Sequence, residues 1–173
     1  MKLITTLAIS LFISGCSLSG KKPPDKLYYR FPETTQASQT NLIIKRPSAA
    51  GIIGNRPMVA QNSDGSLIQM QHNFWLESPK ALLQNYLEKT FVSNINIGTT
   101  SNVLNTHILH LEKKQNTVIL AITFTITNNK RQQIFKKTYK QEGQLQHNTI
   151  PAFVSSFSTL LENIVSQFSR EIP

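Results

Sequence analysis

Cysteine is nearly missing from this chain, with Cys16 the only one. Without a second thiol no intramolecular disulfide can form, and no later sulfur is available to ligate zinc. Carboxylates are scarce too: nine Asp and Glu stand against eighteen Lys and Arg, for a formal net charge of +9. None of the nine forms a close pair of the kind that shares acid–base work. No serine stands in a nucleophile-elbow context, and Gly51-Ile-Ile-Gly54 lacks the further glycine and the lysine of a phosphate-binding loop. His107-Ile-Leu-His110 has the look of a metal pair. On a strand, however, residues three apart point to opposite faces, which keeps one ion from taking both. Beyond Ile13 no run is apolar for long enough to cross a bilayer as a helix. These absences argue against an enzyme, a resident metal and a membrane-spanning helix in the body of the chain.

What is present begins at the N-terminus. Lys2 precedes an apolar run from Leu3 to Ile13, and Ile13-Ser-Gly-Cys16 closes it with small residues. A basic start, a short apolar stretch and a small-residue cleavage site predict a secretory signal over residues 1–15, too short to stay as a spanning helix. The closing motif resembles the lipobox of bacterial lipoproteins. That resemblance implies that Cys16 receives a diacylglyceryl group on its sulfur, that the chain is cut before it, and that the new amine is acylated with a palmitate-type chain. Covalent lipid on Cys16 would then be the anchor, and no other cofactor is expected. Each buried methylene contributes about 0.8 kcal/mol, so two or more chains suffice for stable anchoring. An ordinary signal peptide with an incidental cysteine is the alternative. Ser17, where aspartate would favour inner-membrane retention in enterobacteria, points by the same resemblance to the periplasmic face of the outer membrane. Residues 16–25 read as the lipidated N-terminus and a short tether of low hydrophobicity. Ten residues reach at most about 35 Å, which keeps the domain at 26–173 close to its membrane. A chain of that size forms one domain with its own core.

The basic residues are dispersed. Lys45-Arg46, Lys113-Lys114, Lys130-Arg131 and Lys136-Lys137 lie in different segments, with no basic stripe interleaved with aromatics. Together with export, this argues against nucleic acid. Two readings stay open: a solvated surface, or attraction to anionic lipid headgroups or an acidic protein.

Strands are predicted at Lys26–Phe31, stopped by Pro32, and at Asn41–Lys45, with Glu33–Gln39 a loop. Asp64-Gly65 marks a β-hairpin between Met58–Gln61 and Ser66–His72. Ser78 as N-cap and Pro79 at the first helical position open a helix. Its apolar face is Leu82, Leu83, Tyr86, Leu87 and Phe91. Asn94–Asn102 is a polar connection, Val103–Leu111 a strand and Gln115-Asn116 a turn. From Val118 the alternation is clean: Val118, Leu120, Ile122, Phe124 and Ile126 face one way and the threonines the other. Ile134–Gln141 reads as a more polar strand that fits an edge guarded by lysines. A final helix opens at Pro151, with Phe153, Phe157, Leu160, Ile164 and Phe168 in a stripe that packs on the sheet or forms an oligomer seam. The order predicts an α+β fold, a largely antiparallel sheet with two helices on one face.

For binding, aromatic and basic residues near chain reversals stand out: Tyr28, Tyr29 and Arg30, then Arg56, then His72 and Trp75 in a cluster with Phe74 and Glu77. The tyrosines also fit simple alternation, Trp75 core packing, His72 a structural hydrogen bond, and Arg56 a pin for its own loop. The order of Tyr28-Tyr-Arg-Phe-Pro32, Ile43-Ile-Lys-Arg-Pro47, Asn55-Arg-Pro-Met-Val59 and His72-Asn-Phe-Trp-Leu-Glu77 resembles the auxiliary lipoproteins of ABC-type transport systems, the PqiC-like group that works with MCE-domain proteins. The resemblance implies an outer-membrane, non-catalytic docking component of an intermembrane lipid transport system. It would have an MCE-domain partner, a membrane contact through lipid, phospholipid as a possible ligand, and a homo-oligomeric ring as a possible assembly. On that reading the apolar hairpin around Met58 and Ile68, or the Ile52-Ile53 loop, would meet the partner or lipid tails. Two alternatives stand beside it: a lipoprotein that binds and activates a peptidoglycan synthase, and a structural envelope lipoprotein. The short tether disfavours the synthase activator, which needs to reach through the wall.

Overall fold

The computed structural model describes residues 22–34, 37–93 and 101–172. The predicted signal, Cys16, the first part of the tether and residues 94–100 of the polar connection lie outside the described residues.

The strands form around a long three-stranded meander. β8 (Asn102–Lys114) and β10 (Gln133–Gln144) flank β9 (Thr117–Thr127), and both pair with it antiparallel along nearly their whole length. Alternation explains the central strand: Val118, Leu120, Ile122, Phe124 and Ile126 are each at most 1% exposed. Their partners in the other phase, Thr117, Thr123, Thr125 and Thr127, are half-buried on the opposite face. The alternation is not complete, because Ile119 and Ala121 are buried on that second face as well.

On its other edge β8 receives three successive segments of the earlier chain, all parallel to it. These are β3 (Leu42–Ile44), β4 (Ser48–Ala49) and β5 (Pro57–Gln61), with a 3-10 turn over Gly51–Gly54 between the last two. β5 turns through an Asp64-Gly65 loop, Gly65 at φ +88°, into antiparallel β6 (Leu67–Trp75). The far side of β6 pairs in parallel with β1 (Leu27–Tyr29), which ends the sheet. The sheet is thus mixed: its long ladders are antiparallel as expected, and the short segments add parallel pairs.

Helix α1 (Pro79–Thr90) starts where predicted, the Ser78 hydroxyl accepting from the Ala81 N–H at 3.3 Å. Helix α2 (Ile150–Glu171) begins one residue before Pro151, with Thr149 as its cap. Both helices contribute to one core. Aromatic rings knit it together. Phe168 of α2 stacks on Phe124 with centroids 4.1 Å apart, and Phe157 lies 4.7 Å from Phe31 and 5.2 Å from Trp75. The predicted α2 stripe therefore packs on the sheet. β10 can come this close to α2 because residue 143 is glycine; a Cβ there would sit 2.7 Å from the Ser156 hydroxyl.

Three expectations are corrected. The stretch expected to be loop, Glu33–Gln39, ends inside β2 (Ser38–Thr40), which pairs in parallel with β7 (Phe91–Ser93) at the end of α1. The first strand is shorter than Lys26–Phe31, because Phe31 leaves the ladder to enter the core at 9% exposure. The third correction concerns the histidines. A β-bulge interrupts β8, with Ile108 opposite Ile122 but His110 opposite Ala121, so that Leu109 is the extra residue. The bulge shifts the phase by one and brings His107 and His110 to the same face.

Candidate functional site

Sharing a face does not by itself make the two histidines a metal site, and each is engaged through its Nδ1. The His107 Nδ1 lies 2.7 Å from the Ser48 hydroxyl, while the His110 Nδ1–H donates to Glu112 Oε1 at 2.6 Å. The other Glu112 oxygen accepts the Leu111 N–H at 2.8 Å. This carboxylate is 1% exposed. It closes the bulge from within, accepting from a backbone N–H and from one imidazole, and so is a structural clamp. Among the described residues no group of three or more His, Cys, Asp or Glu could hold a metal ion.

The predicted binding residues divide into two sets. Ile53 is 4% exposed and Trp75 1%, both inside the core. Ile52 is partly buried against it. The expected Ile52-Ile53 contact loop is therefore corrected: the 3-10 turn aims Ile53 inward to pack the joint between β4 and β5. Trp75 is likewise a core residue, 5.0 Å edge-to-face from Phe31. Of the hairpin pair, Met58 is fully buried while Ile68 is 47% exposed. His72 is half-buried, and its Nδ1 lies buried without a hydrogen-bond partner. Tyr29 packs partly against the core, its carbonyl accepting the Leu76 N–H at 2.7 Å. Arg30 is exposed on the rim of a shallow groove of about 160 Å³ with Glu33, Leu76, Glu77 and Lys89.

The second set converges. Parallel pairing of β1 with β6 places Tyr28 opposite Phe74, and their rings lie 5.6 Å apart. Successive strand residues point to opposite faces. Because Trp75 packs against Phe153 and Phe157 of α2, Tyr28 and Phe74 occupy the face without helices. Arg56 places its guanidinium 5.3 Å from the Tyr28 centroid, and Lys26 its ammonium 5.5 Å from that of Phe74. Such cation–π contacts hold the charges over the rings while leaving them solvated. The Arg56 Nε also donates to the Trp75 carbonyl at 3.4 Å, fixing the base of the side chain. Tyr28 stays 50% exposed and neighbouring Leu27 51%. Sequence reasoning singled out Tyr28, Arg56 and Phe74 but missed Lys26 and the pairing that brings the four together. No local signal carries a pairing that joins residues so far apart in the chain.

Elsewhere the charges serve the scaffold. Lys137 and the Tyr139 hydroxyl both donate to Glu171 at the end of α2, at 2.7 and 2.8 Å for the shared oxygen. Lys137, then Tyr139, hold the Glu171 carboxyl below its ordinary range. Burial, reinforced by that carboxylate, pushes the Tyr139 phenol well up. Lys140 does the same as Lys137 for Glu142, at 2.9 Å. No helix among the described residues is long and apolar enough to cross a membrane.

The chain is thus a single-core α+β domain with one helix-free sheet face and an aromatic–cation corner. The family model for the ABC-type transport auxiliary lipoprotein component matches residues 30–169. The chain belongs to that family, the one its motifs resemble. No curated protein matches the sequence. Two crystal structures share the fold. An uncharacterized protein superposes with a TM-score of 0.73 at 17% identity, covering 87% of this chain and 100% of its own. Protein XCC0632 from Xanthomonas campestris, a DUF330 protein, gives 0.69 at 12% identity, over 83% of this chain and 92% of its own.

Proposed function

We propose that this protein is an outer-membrane lipoprotein, anchored through lipid on Cys16, that docks an MCE-type periplasmic conduit to the membrane and performs no covalent chemistry. The observation that carries the reading is the family match over residues 30–169, to which the lipobox and Ser17 add the membrane and its side. Two features of the fold support docking over carriage. The surface hollows described hold about 130 to 360 Å³, and polar side chains such as Ser38, Gln39, Thr40 and Asn102 line them as much as apolar ones do. A lipid carrier needs an enclosed, mainly apolar pocket to hold acyl chains. The core is also closed, with Trp75, Phe153 and Phe157 filling the space between sheet and helix.

Membrane restriction makes a weak docking contact effective, because tethering raises the local concentration of the domain where the conduit arrives. A homo-oligomeric ring would add avidity to each contact. The test is affinity purification of the full-length lipidated protein from membranes in mild detergent, with mass spectrometry of what accompanies it. Recovery of an MCE-domain protein that disappears when residues 26–173 are deleted supports the proposal. Recovery of a peptidoglycan synthase, or of nothing above background, removes it.

A further inference from the structure

The face of the sheet that carries no helix is basic. Strand register puts Lys114, Lys136 and Lys140 on it, opposite Thr117, Thr125 and Ala121 of β9, and the corner adds Lys26 and Arg56. Two carboxylates of the described strands share it, and Asp25 beside Lys26 pairs with Lys22 at 3.6 Å. Glu112 is buried and bonded, and Glu142 is paired with Lys140. Glu77, Glu88, Glu162 and Glu171 lie on the helices and their approaches, among Lys80, Lys89 and Arg170.

We propose that the Lys26–Phe74–Tyr28–Arg56 corner is a membrane-contact surface, seated on anionic phospholipid headgroups at the free edge of β1. The inference rests on the lipid-anchor reading above and adds which face of the domain meets the bilayer. Three observations carry it. β1 ends the sheet, so its outer edge has no partner strand among the described residues. Leu27 and Tyr28 project from the two sides of that edge at 51% and 50% exposure. Half-exposed aromatic and aliphatic side chains flanked by cations match the headgroup layer, where an apolar body and a charged tip are satisfied together. The chain outside the structure supplies the geometry. Nine residues lie between Cys16 and Lys26, a reach of at most about 35 Å. The corner into which the tether runs is therefore the part of the domain held nearest the bilayer. Charge supplies the sign: each cation near an anionic surface strengthens binding about fivefold.

The experiment uses the lipidated full-length protein reconstituted into vesicles of phosphatidylcholine alone or with phosphatidylglycerol. A single Asn55→Cys provides a label site, since Asn55 is exposed, adjoins Arg56 and is far from Cys16 in sequence. Ser155→Cys, exposed on α2, is the control. Nitroxide-bearing lipid should quench a fluorophore at position 55 and not at 155, and only with phosphatidylglycerol present. Lys26→Gln with Arg56→Gln should lower the docked fraction about 25-fold, with an unchanged circular dichroism spectrum. Equal quenching at the two sites, or indifference to phosphatidylglycerol or to the double substitution, overturns the inference. In that case a complex between the same corner and an acidic protein would be the explanation to pursue. Co-flotation with both kinds of vesicle checks the anchor separately, and a chain that does not float overturns the anchor reading itself.

Discussion

Removing the Glu112 carboxylate should cost far more stability than removing the histidine bonded to it. Bulging at Leu109 leaves the Leu111 N–H out of the ladder, and Glu112 Oε2 is its acceptor at 2.8 Å. In Glu112→Ala this N–H is buried without a partner, at about 1–3 kcal/mol. The vacated volume adds to that, because neighbours relax only partly. A total of about 3 kcal/mol corresponds to a Tm lower by about 6–12 °C in a domain of this size. Glu112→Gln keeps an oxygen for the Leu111 N–H and an amide for the imidazole, and should lose about 1 kcal/mol. Glu112→Leu refills the space yet still orphans the N–H, so it falls between, at about 2 kcal/mol. His110 differs because it is 47% exposed. Water can replace its bond, and His110→Ala should cost no more than about 1 kcal/mol. Urea unfolding followed by Trp75 fluorescence gives all four values, provided the m-values stay equal. If His110→Ala costs as much as Glu112→Ala, or if Glu112→Ala costs less than about 0.5 kcal/mol, the clamp is not what holds the bulge.

Other consequences concern how α2 sits on β10. Gly143→Ala places a Cβ 2.7 Å from the Ser156 hydroxyl, an atom on a single rotor that can swing away, with Leu160 next at 3.4 Å. The substitution should cost about 1 kcal/mol, and Ser156→Ala in the same chain should recover most of it, a coupling that a double-mutant cycle measures. Phe168→Ala removes the ring stacked on Phe124 and should cost about 3–5 kcal/mol in chemical denaturation. Acid should loosen the far end of the same helix. The Glu171 carboxyl is held below its ordinary value of 4.5 by Lys137 and then Tyr139. Its contribution is therefore complete above that pH and disappears as pH falls through the lowered folded value. Glu171→Gln should remove this part of the acid-induced loss, seen as a shallower fall of Tm below pH 4.5.

The legible elements were those whose signal lies within a few residues. β9 alternates over its whole length, and α1 carries its own cap and initiating proline at Ser78-Pro79. The bulge left a fainter trace. Buried positions in β8 run Leu104, Thr106, Ile108 and then Leu111, a slip from even to odd numbers that a straight strand would not show. Read as a slip, it would have placed His107 and His110 on one face. β2 left no trace, since three polar residues become a strand only because β7 presents a ladder to them. The aromatic–cation corner was legible in composition and invisible in geometry. Tyr28 and Arg56 belong to turn-rich segments that sequence reading can single out, but their stacking depends on β1 closing in parallel on β6. Ile53 misled for the opposite reason: an apolar pair between glycines reads as an exposed loop, and a 3-10 turn buried half of it.

The two faces of the sheet have different relations to water, and that difference bears on how such a domain can work at a membrane. Under the helices the packing is ring against ring, with Phe124, Phe153, Phe157 and Phe168 fully buried. Binding there would mean dislodging a helix, at a cost set by the loss of that core. The opposite face is finished for polar surroundings: Thr123 and Thr138 share a hydrogen bond at 2.7 Å across β9 and β10, and Lys140 pairs with Glu142 beside them. Such a face gains little from burying apolar area, so its contacts depend on charge and hydrogen bonding. They are reversible and salt-sensitive. At the β1 edge the half-exposed Tyr28 adds apolar area to that charge, as Leu67 does beside Lys114, and from β1 the chain runs back toward Cys16. A domain whose faces differ in this way need not change shape to act. On the proposed anchoring, the fold would orient it once Cys16 is held, and the reversible part of its work would fall to the exposed cations.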